Sequence, residues 1–80
     1  METQLAKAEM IQACLKLSPD LAKLSVKNIW VDYDKEADVL YLSFRKPQRA
    51  RKTIETDQEV LIRTDGELIV GVTILNASSK

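Results

Sequence analysis

Four carboxylates at alternate positions, Asp32, Asp34, Glu36 and Asp38, form the densest chemistry-bearing group in this 80-residue chain. On an extended strand, residues two apart share a face, so such a series could hold a divalent cation through oxygen ligands. The calcium-loop pattern fails on detail. In a twelve-residue loop begun at Asp32, the sixth position needs glycine for its sharp turn and is Ala37, while the twelfth needs a bidentate Glu and is Ser43. The series is therefore read as a solvated acidic turn, and no metal is expected.

The remaining inventory for catalysis is thin. The chain has no histidine, one cysteine (Cys14) and two glycines (Gly66 and Gly71). Cys14 thus has neither an imidazole base to activate it nor a second thiol to form a disulfide, and no glycine-rich loop could cradle a phosphate. These absences predict a protein that is not an enzyme and carries no cofactor.

A second charged group is basic. Arg45, Lys46, Arg49, Arg51 and Lys52 place five cations in eight residues. The chain as a whole balances twelve Lys and Arg against twelve Asp and Glu, so removing those five leaves seven cations facing twelve anions. Such a segregated basic loop could bind a phosphate backbone without sequence preference. It lacks interleaved aromatic residues for base stacking. It could equally meet the acidic turn of a second subunit or keep an edge strand soluble.

The elements that position these groups follow from periodicity. Residues 3–17 contain good helix formers and no breaker, and Met10, Cys14, Leu17, Leu21 and Leu24 recur at spacings of three and four. Ser18 and Pro19 predict a break, with Ser18 capping a second short helix over 19–24. From Ile29 onward the pattern alternates. Ile29, Val31 and Tyr33 share one strand face, and after the acidic turn Leu40, Leu42 and Phe44 alternate with Val39, Tyr41 and Ser43. Pro47 opposes a strand within the basic loop. Residues 53–55 suit a short strand, 59–64 a main strand, and Asp65-Gly66 a tight hairpin leading into a last strand over 67–75. A small polar tail follows at 76–80.

The run 31–42, with Tyr33, Asp34, Ala37, Asp38, Leu40 and Tyr41 at its heart, and the ending Gly71-Val72-Thr73-Ile74-Leu75-Asn76-Ala77-Ser78 together resemble domain-of-unknown-function family 2283. The resemblance covers about residues 27–78 and implies a small bacterial or archaeal β-meander module, cytoplasmic, without an assigned activity. It does not account for the helical segment at 1–25 or for the basic loop.

The expected architecture is a single α+β domain over 1–80. A helical extension (1–25) packs on an antiparallel β-meander of about four strands (26–78). A core this small supplies about 3–5 kcal/mol unaided, which favours self-association. The expected function is a noncatalytic protein-interaction or regulatory module acting as a homodimer, with Trp30, Val39 and Tyr41 as its interface and a further protein partner allowed. The alternative is weak nucleic-acid binding through residues 45–52. No apolar run is long enough to span a bilayer and no secretory leader is evident, so a cytoplasmic location without membrane contact is expected.

Overall fold

In the computed structural model, which describes residues 7–80, one helix precedes a five-stranded antiparallel sheet. The strands are β1 (Trp30–Asp34), β2 (Val39–Ser43), β3 (Lys52–Glu55), β4 (Val60–Asp65) and β5 (Leu68–Leu75). The α+β class is as expected, with a fifth strand where residues 53–55 suggested one. Helix α1 (Lys7–Ala22) departs from expectation at Pro19, which it includes. Proline costs the bond its own N–H would donate to the Leu15 carbonyl. The helix runs on past it, and Lys23 N–H donates to the Pro19 carbonyl at 3.2 Å just beyond its end. On an exposed helix, water satisfies the orphaned carbonyl, so no break is needed. The expected helix start at residue 3 lies outside the described residues.

The sheet order is β1-β2-β5-β4-β3, not the consecutive order of a simple meander. The last strand enters beside β2 because these two are the strands apolar on both faces, and such strands belong in the interior. Charged β3 and β1 take the edges, where an unpaired backbone row needs protection from other chains. Gly66 permits the β4–β5 turn with a φ of 66°.

The pairing register assigns the faces. One row runs Val31–Leu42–Val72–Ile62–Ile54 across all five strands, and the next runs Tyr33–Leu40–Ile74–Val60. These two rows are apolar apart from the Tyr33 hydroxyl, and the pair Lys52–Thr64 continues the same face beyond Ile54 and Ile62. The opposite face carries Trp30, Ser43, Gly71, Arg63 and Thr53 in one row and Asp32, Tyr41, Thr73, Leu61 and Glu55 in the next.

The expected packing of helix on sheet is not what the single chain shows. None of the α1 residues is buried, and Met10 and Leu17 are each 54% exposed. Val39 and Val70 are the buried apolar residues among those described. The helix ends in a tight turn, with Leu24 N–H on the Leu21 carbonyl, Ser25 N–H on the Ala22 carbonyl and Ser25 at a φ of 57°. The molecule extends over 43 Å along its longest axis.

Candidate functional site

The acidic turn becomes a clasp through its last residue. β1 and β2 close on the pair Asp34↔Val39, leaving 35–38 as the loop, and the Asp34 carboxylate accepts from Ala37 N–H at 3.1 Å. That bond fixes the turn as an aspartate side chain commonly does. Asp38 then adopts a φ of 56°. Its Oδ1 accepts from the Tyr33 hydroxyl at 2.6 Å and from Ser78 N–H at 3.0 Å, its Oδ2 from the Ser78 hydroxyl at 2.8 Å, and its backbone carbonyl from Ala77 N–H at 3.0 Å. One residue thereby ties the first hairpin to the chain terminus forty positions away.

The terminal segment is shaped to reach it. Asn76 turns the chain with a φ of 51°, and Ala77–Ser79 form a short 3-10 helix. Asn76 Nδ2 donates to Glu59 Oε2 at 2.7 Å, and Lys80 Nζ pairs with Glu59 Oε1 at 3.0 Å. Sequence reasoning took 76–80 as a polar tail and missed both ties. The available signal was the left-handed preference of Asn76 followed by Ser78, a hydroxyl donor.

The electrostatics make this cluster a poor acid–base site. The hydroxyls of Tyr33 and then Ser78 hold the Asp38 carboxyl below the usual aspartate range, and the same bond pushes the Tyr33 phenol above its ordinary value. The Lys80 ammonium and the Asn76 amide lower the Glu59 carboxyl likewise. Both Asp38 oxygens already accept hydrogen bonds, so the carboxylate is a weak base and the phenol a reluctant nucleophile. Asp32 lies on β1 opposite Tyr41, away from Asp38. Among the described residues, no three His, Cys, Asp or Glu side chains converge as metal ligands would.

The basic loop is bound down along the other end of the sheet. Arg45 donates through Nε and Nη2 to the Gln48 carbonyl at 3.2 and 2.8 Å, and through Nη2 to the Arg49 carbonyl at 3.1 Å. Its Nη1 meets Asp65 Oδ2 at 3.0 Å, while Arg51 Nε meets Asp65 Oδ1 at 2.9 Å. Lys46 Nζ stands 5.8 Å above the Trp30 ring, within cation–π range. Gln48 Nε2 donates to Ser43 Oγ at 2.6 Å. Gly71 lies beneath that amide, where a β-carbon would overlap the Gln48 side chain and stand 3.1 Å from the Leu42 carbonyl oxygen. Of the five expected cations, Arg49 and Lys52 have side chains that make no bond to another described residue.

The residues expected to form an interface are dispersed. Trp30 lies under Lys46, Tyr41 is exposed, and Val39 is only 8% exposed, so the Val39 side chain is spent inside the single chain. All three stand on the mixed face, across which the basic loop folds, and the open apolar face is the other one.

A family model described as a protein of unknown function (DUF2283) matches residues 30–78. The match begins at β1 and ends on Ser78, so it encloses the sheet and both halves of the Asp38 clasp and omits the helix. No curated protein and no solved structure matches the chain.

Proposed function

The chain belongs to the family of proteins of unknown function DUF2283, and from that premise we propose that it works as a noncatalytic interaction module that associates with itself. One observation carries the reading. Tyr33, Asp38, Glu59, Arg45 and Asp65 are engaged in holding the fold, while the apolar rows through Leu42 and Leu40 face outward at their ends, with Val31 54% and Tyr33 48% exposed. Contiguous apolar surface of this kind marks association sites. A cytoplasmic setting is part of the proposal, supported by a lone, exposed thiol. No helix among the described residues is long and apolar enough to cross a membrane.

Nucleic-acid binding draws less support. Asp65 offsets Arg45 and Arg51, and Arg45 is turned onto its own loop, so the cations do not form an unopposed stripe. Sedimentation tests the main reading. A homodimer is expected at tens of micromolar, roughly the range that saturates a micromolar dimer, and a monomer throughout that range overturns it.

A further inference from the structure

We propose that the partner surface for the apolar sheet face is helix α1 of a second copy, exchanged reciprocally so that each helix lies across the sheet of the other chain. The proposal rests on the self-association inferred above and names the surface that mediates it.

A compact folded monomer of 9.1 kDa exposes about 4,900 Å². This chain exposes 6789 Å². Setting aside about 1,000 Å², the most that six residues can add at the surface-to-mass ratio of an unfolded chain, still leaves roughly 1,000 Å² of surplus per chain. Two chains then have about 2,000 Å² to bury, where the range for obligate homodimers begins. The radius of gyration agrees, at 14.3 Å against about 11.6 Å for a compact chain of this length.

The surplus lies on two surfaces that match. On α1, Met10, Cys14, Leu17 and Leu21 follow one another along one side, with Lys16 turned away from them and Ile11 and Leu15 exposed off the stripe. That stripe meets nothing that buries it in its own chain. On the sheet, the two apolar rows offer a face with no helix over it. The sizes agree as well: sixteen residues make a helix about 24 Å long, and five strands span about 19 Å between edge axes. None of the helix residues is buried against its own sheet, which leaves both surfaces for a second chain.

Cys14 reports on this arrangement directly, because it sits in the stripe and is exposed in the single chain. The full chain is followed by sedimentation over a concentration series while the rate of Cys14 with an aromatic disulfide reagent is measured at each point. Exchange predicts a dimer in which Cys14 reacts at least about tenfold more slowly than in the dilute monomer, because reaction requires access to the thiolate. A dimer with Cys14 reacting at the monomer rate overturns the exchange and leaves self-association standing. A monomer at every concentration overturns both, and protection of Cys14 in that monomer would place the helix on its own sheet. Leu17→Lys, at a position exposed in the single chain, is expected to weaken the dimer by about tenfold or more, since it buries an ammonium in the contact. Undiminished association of that variant also overturns the proposal.

Discussion

The Tyr33 hydroxyl donates to Asp38 at 2.6 Å across the first hairpin turn, and that same carboxylate receives both donors of Ser78 from the end of the chain. The sheet is thereby closed at one end by a single side chain. The two strands that flank the turn and the strand that leads to the terminus are β1, β2 and β5, which are neighbours in the sheet. The clasp reinforces pairing that the backbone ladder already makes.

Stability is expected to fall in acid because of Asp38. Its carboxyl titrates lower in the folded chain than in the unfolded one, so its contribution is present above the unfolded value of about 3.9 and is lost as pH falls through the lowered folded value. Asp38→Asn should lower the melting temperature at neutral pH and flatten the acid limb of a plot of melting temperature against pH. An acid limb identical to that of the parent would show that Asp38 does not control it.

In alkali the sign is reversed. Tyr33 titrates higher when folded, so its contribution is complete below the unfolded value of about 10 and is lost as pH rises through the raised folded value. Tyr33→Phe should lower the melting temperature at neutral pH and remove this alkaline loss. Ultraviolet titration of the phenolate, comparing Tyr33→Phe with the parent, identifies the late-titrating tyrosine.

Gly71→Ala is expected to destabilise the chain by about 1–3 kcal/mol, the usual cost of overpacking, despite the backbone entropy that alanine would save. The new methyl would displace the Gln48 amide from Ser43. Combining Gly71→Ala with Gln48→Ala should cost less than the sum of the two single changes in urea denaturation, because one clash is then removed. Strict additivity would mean that the Leu42 carbonyl, not Gln48, meets the methyl.

Arg45 and Arg51 share Asp65 but should differ in weight. The Arg51 side chain is 81% exposed, and Arg51→Ala should cost under about 1 kcal/mol. Arg45 also satisfies two loop carbonyls, so Arg45→Ala should cost about 1–2 kcal/mol and leave the loop more open to proteolysis. Denaturant midpoints of the two variants give the order directly.

Salt separates the two functional readings. An apolar dimer should keep or slightly tighten its affinity as ionic strength rises, because exposed charges are screened and burial is not. Arg49→Glu should leave that affinity within about threefold, its side chain lying outside the apolar face. Fluorescence anisotropy with a labelled DNA duplex at low salt completes the comparison. Binding that is abolished by Arg49→Glu would establish the basic loop as a nucleic-acid surface.

The three- and four-residue spacing of Met10, Cys14 and Leu17, the alternation of Ile29, Val31 and Tyr33, the Asp65-Gly66 turn and the doubly apolar strands were local patterns, and they determined the helix, the strands and the antiparallel sheet from sequence alone. Local pattern also identified the acidic turn and the basic loop as groups. Only the tertiary structure decided what those groups do. Asp38 meets Ser78 because β5 enters beside β2, a pairing between distant segments that no spacing encodes, and Asp65 draws Arg45 and Arg51 together for the same reason. Pro19 stayed inside the helix because water at an exposed surface replaces the bond it removes. The apolar stripe of α1 was expected to pack on the sheet of its own chain, but sequence period says only that such a face must be covered. The folded chain shows that its own sheet leaves the stripe exposed.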